Sequence, residues 1–183
     1  YIVAKPLFAS LFNPKAADIA FEDYKPGDKL VPFKVVAEYK GTDLVGMKYE
    51  QLLPWITPEN ADQAFRVIPG DYVTTEDGTG IVHIAPTFGA DDAKVAKAAG
   101  IPPLQLIDKN GNLRPSVDLT GKFYLLSDLD DEYVKTHINV EEYKQFEGRF
   151  VKNAYDKNLT DKDESLDVSI CMLMKATNKA FKI

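Results

Sequence analysis

The sequence predicts a mainly β protein, with a barrel-like core and peripheral helices packed outside it. About eight short apolar segments, bounded by turn residues, have the length and composition of strands. Roughly three or four longer segments show helical spacing. The strands alternate irregularly with turns and do not form strand–helix–strand repeats, which favours a barrel over a parallel sheet.

The first half of the chain supplies most of the predicted strands. They lie next to Gly, Pro or Asp and span residues 1–4, 33–39, 44–49, 64–68 and 71–75. Residues 40–43 would turn the second of these strands into the third as a β-hairpin. A short helix is predicted over residues 6–12, ended by Asn13-Pro14.

Residues 81–85 predict a buried strand, because they are apolar and rich in β-branched residues. Pro86 cannot donate to a sheet ladder, so the strand would end there. Side chains alternate between the two faces of a strand. His83 would therefore share one face with Ala85, and Val82 would face the core.

A helix is predicted to follow this strand and to run to about Ala99, with Gly100 as its stop. Gly89 permits a tight bend before the helix. Asp91 and Asp92 fall in the first turn, where the helix dipole favours carboxylates.

The strand and the helix together form a candidate site. His83 lies at the end of the strand, Asp92 lies at the helix N-terminus, and Thr87, Phe88 and Gly89 would form a floor between them. Such a corner suits a small polar ligand that carries a cationic group. The structural alternative is a half-buried, hydrogen-bonded His83 and a helix-capping Asp92, which is the commoner outcome for this spacing.

The second half predicts a strand at residues 104–107, a tight turn at residues 110–111 and two helices. The first helix would begin at Ser127, in a Ser-x-x-Asp variant of the capping box, and end near Thr136. The second would open at Ser165. Its apolar stripe, interpreted as a core face, contains Leu166, Ile170, Leu173, Met174, Thr177 and Phe181.

Composition limits the classes of function. The 183 residues suit one domain with a sizeable core. The net charge of −6 argues against tight RNA binding by this chain alone, because nucleic-acid binders carry a basic patch. Cys171 is the single cysteine, which excludes an internal disulfide and a cysteine-based zinc site and fits a cytoplasmic location. No metal site is predicted, because the acidic run 128–132 is interpreted as a solvated helix start. No membrane association is predicted, because no apolar run approaches the roughly 20 residues of a membrane span.

The run from Gly78 to Asp92 resembles the signature of the editing domain of isoleucyl-tRNA synthetases, which are class I aminoacyl-tRNA synthetases. That family carries G-T-G-[IV]-V-H-x-A-P-x-[FH]-G-x-[DE]-D, and the run meets every fixed position. The editing domains of valyl- and leucyl-tRNA synthetases carry looser versions. A weaker likeness to the family's G-x-x-L-x-G-x-x-Y element lies at residues 41–49.

The resemblance implies a closed β-barrel and a pocket in which Asp92 and His83 are the catalytic residues. Asp92 would bind the α-ammonium of a misattached amino acid, as an anchor and not as a general base. His83 would form a recognition wall that, with Phe88, admits valine and excludes isoleucine. Ala85 would be a small wall residue, and the Thr79 hydroxyl would lie near the ester.

The implied function is post-transfer editing, the hydrolysis of Val-tRNA(Ile) within an isoleucyl-tRNA synthetase. Two alternatives remain open at this point: a valyl-type domain that clears Thr-tRNA(Val), and a catalytically silent barrel used for docking. The implied partners are the 3′ end of tRNA(Ile) and the remainder of the synthetase. No cofactor is expected in this domain, whereas ATP and Mg²⁺ are implied for the parent enzyme.

Residues 1–183 are expected to form a single editing domain excised from a larger synthetase. The family's threonine-rich segment, which lines the other side of the pocket, normally precedes the strand expected at Tyr1. No T-T-T-P-W-like run occurs in the sequence. The isolated chain is therefore expected to fold but to hydrolyse its substrate poorly.

Overall fold

The computed structural model describes residues 1–25 and 27–180. The α-helices in this part of the chain are α1 (Phe8–Leu11), α2 (Gly41–Leu44), α3 (Ala90–Ala98), α4 (Asp131–His137), α5 (Val140–Tyr143) and α6 (Leu166–Ala176). Short 3-10 segments lie at Lys5–Leu7, Pro14–Ala16, Phe21–Asp23, Ala61–Gln63, Leu126–Asp128 and Asn153–Tyr155. No helix within the described residues is both long enough and apolar enough to cross a membrane.

The sheet in the described part of the chain has two strands, β1 (Leu106–Ile107) and β2 (Leu113–Arg114). They pair antiparallel, with Leu106 opposite Arg114 and Ile107 opposite Leu113. This sheet is not closed, so the prediction of a mainly β protein with a closed barrel is wrong. A strand needs a hydrogen-bonded neighbour, and the other apolar segments within the described residues form isolated bridges at most, such as the one between Lys48 and Arg66.

Two local predictions, the strand at residues 81–85 and the hairpin around residues 40–43, are wrong because the strand pairing that each needs does not form. Residues 81–85 are irregular and not a strand, and Val82, predicted to face the core, has an exposed fraction of 52%. The hairpin predicted around residues 40–43 is replaced by α2, in which the Asp43 carboxylate accepts the backbone N–H of Lys40. A local hydrogen bond thus takes the place of strand pairing.

The described residues divide into two compact units. The first contains Tyr1–Lys48 and Arg66–Ile84, and the second contains Tyr49–Phe65 and the chain from Ala85 onward. The first unit has an aromatic cluster, in which the Phe8 ring lies 5.2 Å from that of Phe12 and 4.9 Å from that of Phe33. The helix predicted over residues 6–12 is present as α1 and the 3-10 turn before it.

The second unit contains the main hydrophobic core. Its buried members come from the segment around Trp55, from β1 and from α4 to α6, and they are Trp55, Ile56, Leu106, Leu129, Tyr133, Ile138, Tyr143, Phe146 and Leu166. The ring of Trp55 stacks on that of Phe146 at 3.9 Å. Tyr143 is fully buried and donates its hydroxyl to the Tyr124 carbonyl oxygen at 2.9 Å.

The β1–β2 hairpin turns on the Asn110-Gly111 pair, as predicted, with Gly111 at a φ of 78°. The carboxylate of Asp108, 7% exposed, organises the turn. It accepts the backbone N–H groups of Asn110 and Asn112, each at 2.9 Å, and the Arg114 Nε at 2.8 Å. Hydrogen bonds, first from the Asn112 backbone and then from the Arg114 side chain, lower the pKa of Asp108 against the opposing effect of its burial.

The two C-terminal helices are present, with one shifted start. Helix α4 is capped by Asp130, which accepts the Tyr133 N–H at 2.9 Å, and Ser127 instead lies in the preceding 3-10 segment. Helix α6 begins after Ser165 as predicted. Leu166 of its predicted stripe is buried in the core, with Ile170 and Leu173 packed against it, and Phe181 lies outside the described residues.

Trp55→Ala should lower the free energy of unfolding by about 3–5 kcal/mol, because it leaves a cavity opposite Phe146. Urea denaturation followed by circular dichroism measures this. Leu119→Ala, at a fully exposed side chain in the same unit, is the control and should change stability little. Equal losses for both variants would contradict this description of the core.

Stability should fall in acid partly through Asp108. A carboxyl whose pKa is lower in the folded than in the unfolded state contributes stability above about pH 4. That contribution is lost as the pH falls below this value toward the folded-state pKa. Asp108→Asn should therefore flatten the acid limb of a plot of unfolding free energy against pH. Asp161→Asn, at an exposed carboxylate, is the control, and an unchanged limb in Asp108→Asn would refute the role of Asp108.

Candidate functional site

Helix α3 brings the predicted acidic residues to its first turn, which confirms the predicted helix. It begins at Ala90, with Gly89 as the N-cap residue and Asp91 and Asp92 in the first turn. Gly89 supplies no side chain to cap the helix. Gly100 follows the helix at a φ of 67°, the left-handed conformation typical of a helix stop.

The Asp92 carboxylate points back along the chain and does not cap its own helix. Its Oδ2 accepts the backbone N–H of Ala85 at 2.8 Å, in a half-buried setting. The Phe88 N–H donates to the Ala85 carbonyl at 3.0 Å and forms a turn inside the same loop. We call the segment from Ala85 to Asp92 the 85–92 loop, and this carboxylate closes it.

The two carboxylate oxygens of Asp92 differ in their hydrogen bonding. Within the described part of the chain, Oδ1 accepts no hydrogen bond from protein, whereas Oδ2 is held by the Ala85 amide. The neighbouring Asp91 differs, because its exposed carboxylate pairs with Lys94 at 3.5 Å. One oxygen of the half-buried Asp92 is therefore held by the protein, and a carboxylate oxygen such as the other suits a donor such as an ammonium group.

Thr87 fixes the middle of the 85–92 loop. Its Oγ1 donates to the Leu104 carbonyl oxygen at 2.9 Å, so the loop is tied to the segment that leads into β1. Phe88 lies next to this tie, and its side chain is 61% exposed. Ala85, Phe88 and Asp92 are thus brought together in one short, doubly anchored loop, with Phe88 facing solvent.

Thr79 and His83 belong to the first unit, whereas Ala85, Phe88 and Asp92 belong to the second. Thr79 accepts the Ala4 N–H at its carbonyl, at 2.7 Å, and its exposed hydroxyl donates to the Ile81 carbonyl at 3.2 Å. His83 is exposed. Residues 81–85 are irregular, so the strand on which His83 and Ala85 were predicted to share a face is absent.

The sequence analysis missed a cleft in the second unit. It has a volume of about 180 Å³ and is lined by residues distant in sequence, among them Glu59, Asn60, Pro102, Gln105 and Tyr133. The Tyr133 hydroxyl donates to the Gln105 carbonyl at 2.7 Å. Burial, and secondarily the charge of Glu59, raises the pKa of Tyr133 to about 12.

Metal-binding groups do not converge in the described residues. No set of three or more His, Cys, Asp or Glu side chains there has the arrangement needed to hold an ion. The only cysteine in the sequence, Cys171, is a free, half-buried thiol on α6.

Comparison with known proteins identifies the family. No protein-family model matches the chain. The whole chain is 71% identical to isoleucine–tRNA ligase of Bacteroides fragilis over 182 residues, and 59% identical to that of Bacteroides thetaiotaomicron over 201 residues. It is 54% identical to that of Porphyromonas gingivalis over 183 residues. These alignments cover 16–17% of each relative.

The identity is 54–71% over the whole chain in these three isoleucine–tRNA ligases. The chain belongs to the isoleucine–tRNA ligase family, which confirms the family indicated by residues 78–92. It spans about a sixth of the length of the relatives that it matches.

Thr87→Val should lower the free energy of unfolding of the second unit by about 1 kcal/mol, because it removes the hydrogen bond to Leu104 at almost constant volume. The effect is measured by the hydrogen-exchange rates of the backbone amides in residues 85–92, compared with the free energy of global unfolding in urea. Thr42→Val is the matched control, since the exposed Thr42 hydroxyl forms no hydrogen bond within the described residues. Unchanged exchange in Thr87→Val would disprove the tie.

Proposed function

We propose that this chain is the editing segment of an isoleucine–tRNA ligase and hydrolyses valine esterified to tRNA(Ile). Two findings support the proposal. The whole chain is similar to isoleucine–tRNA ligases, and residues 78–92 carry the run that resembles the family's editing signature. Residues 1–183 would act as one editing domain.

The observation that carries the proposal is the fixed carboxylate of Asp92. The α-ammonium of an aminoacyl ester is a cation, and a charge-assisted hydrogen bond to a carboxylate is about twice as strong as a neutral one. Oδ2 is held by the Ala85 amide, so Oδ1 is directed without further ordering. Asp92 would bind the ammonium through Oδ1 and thereby set the position of the ester carbonyl.

In the proposed reaction, the oxygen of a water molecule bonds to the ester carbonyl carbon. The bond from that carbon to the ribose oxygen then breaks, the ribose oxygen takes up the proton that the water has lost, and valine and tRNA(Ile) are released. Asp92 acts by positioning, which alone can supply a large part of a rate acceleration. An ion-paired carboxylate is a poor base, so we assign water activation to the neighbouring ribose hydroxyl of the terminal adenosine.

Selectivity in the proposal rests on pocket size. Isoleucyl-tRNA synthetase is itself a standard example of double-sieve editing, in which a second site admits only products smaller than the correct one. His83 and Phe88 would limit the pocket, Ala85 would leave room for the valine side chain, and the Thr79 hydroxyl would lie near the ester. These four roles come from the resemblance of residues 78–92 to the family run.

The partners proposed are the 3′ end of tRNA(Ile) carrying the wrong amino acid and the remainder of the ligase. Hydrolysis by water needs no cofactor, so ATP and Mg²⁺ would serve aminoacylation elsewhere in the ligase. We also propose a cytoplasmic location, where tRNA is charged. The relatives are isoleucine–tRNA ligases, which supports clearance of valine over clearance of threonine from tRNA(Val).

Asp92→Asn in a complete isoleucine–tRNA ligase that contains this segment should slow hydrolysis of Val-tRNA(Ile) by about 100-fold or more, because the ammonium loses its charged partner. Asparagine keeps an oxygen that can accept the Ala85 N–H, so the loop should stay closed. Single-turnover deacylation measures the rate, and isoleucine-dependent pyrophosphate exchange should stay near normal.

Asp91→Asn is the matched control, since it neutralises the adjacent carboxylate of the same helical turn. Its deacylation rate should equal that of the unmodified ligase. Fast hydrolysis by Asp92→Asn, or equal slowing in both variants, would mean that Asp92 does not anchor the substrate.

A further inference from the structure

Glycine at position 89 is not required by the backbone. Gly89 has a φ of −142° and a ψ of 130°, an extended conformation that any residue adopts. Gly89 is also the N-cap residue of α3, a position where Ser, Asp or Asn would stabilise the helix more than glycine does. Neither local conformation nor helix stability therefore explains glycine here.

The Asp92 side chain occupies the space beside Gly89. A Cβ added at position 89 would lie 3.1 Å from the Asp92 Cγ, 3.2 Å from its Cβ and 3.3 Å from Oδ2. These separations are a few tenths of an ångström shorter than ordinary carbon contacts. All three of the closest atoms belong to Asp92, so any side chain at position 89 would press on this carboxylate.

This steric contact would displace Oδ2, the oxygen that is already hydrogen-bonded to the protein. Oδ2 accepts the Ala85 N–H at 2.8 Å, and a hydrogen bond weakens when its donor–acceptor distance and angle are disturbed. Displacing Oδ2 also redirects Oδ1, because the two oxygens are rigidly joined. The orientation of Oδ1 thus depends on the absence of a side chain at position 89.

We infer that Gly89 is a positioning residue, which keeps the Asp92 carboxylate in the orientation that binds the α-ammonium of the misattached amino acid. The inference rests on the proposed function. It adds that the backbone N–H of Ala85 and the bare Cα of Gly89 together fix the direction of Oδ1.

The test compares two ligands on a complete isoleucine–tRNA ligase that contains this segment. One is a non-hydrolysable valyl-adenosine analogue, and the other is the same molecule with hydrogen in place of its α-amino group. Calorimetry measures both dissociation constants. The ratio is the dissociation constant of the ligand without the amino group divided by that of the ligand with it, and it isolates the contribution of the ammonium to binding. A general destabilisation of the fold weakens the binding of both ligands equally and leaves this ratio unchanged.

Gly89→Ala should reduce the ratio by roughly 10-fold or more, toward the value for Asp92→Asn, and should slow deacylation of Val-tRNA(Ile) in parallel. Gly41→Ala is the matched control, because a Cβ at Gly41 would meet no atom within 4 Å, and it should keep the original ratio. Isoleucine-dependent pyrophosphate exchange should be unaffected in both variants.

The possible failures are distinguishable. If Asp92→Asn lowers the ratio but Gly89→Ala keeps it, the inference about Gly89 is wrong and the proposed function stands. If the unmodified ligase does not distinguish the two analogues, the anchoring role of Asp92 is wrong and the inference falls with it. If circular dichroism shows that Gly89→Ala does not fold, Gly89 serves the fold and the inference is overturned.

Discussion

The hydrogen bond from the Ala85 amide to the Asp92 carboxylate is the constraint on which the candidate site depends. It closes the 85–92 loop at its two ends, while the Thr87 hydroxyl ties the middle of the loop to Leu104. Leu104 leads into β1, whose first residue, Leu106, is fully buried in the core of the second unit. Packing in that core therefore limits the motion of the loop, and the loop in turn fixes the direction of the carboxylate.

Local signals predicted the elements that local residues determine. The Asn110-Gly111 turn, the glycine after α3 and the serine before α6 each act within a few residues of themselves, and each prediction is confirmed. The strands failed because a strand exists only when a distant segment supplies its hydrogen bonds. Residues 81–85 have the composition of a strand, but no described segment of the chain pairs with them. The barrel needed many such pairings at once, and the prediction of it was wrong for this reason.

The candidate site also has features that local sequence predicted and features that it could not predict. The place of Asp92 in the first turn of α3 followed from sequence, because the dipole and the stop at Gly100 define the helix. The hydrogen-bond partner of Asp92 did not follow from sequence. An acidic side chain in this turn has several N–H groups within reach, and only the path of the 85–92 loop selects Ala85. The cleft around Glu59 and Tyr133 gave no sequence signal, because its lining residues are far apart in the chain.

The structural and functional interpretations of Asp92 do not exclude each other. A carboxylate has two oxygens, and in this loop one is held by the Ala85 amide, while the other is the oxygen proposed to bind the ammonium. Holding the first oxygen orders the second during folding, so little conformational freedom remains to be lost when a substrate binds. Such a preordered anion discriminates by the presence of an ammonium in a fixed position and not by charge alone. In the proposed reaction this matters because the chain carries a net charge of −6, and a diffuse negative field would repel the phosphates of tRNA as readily as it attracts the amine.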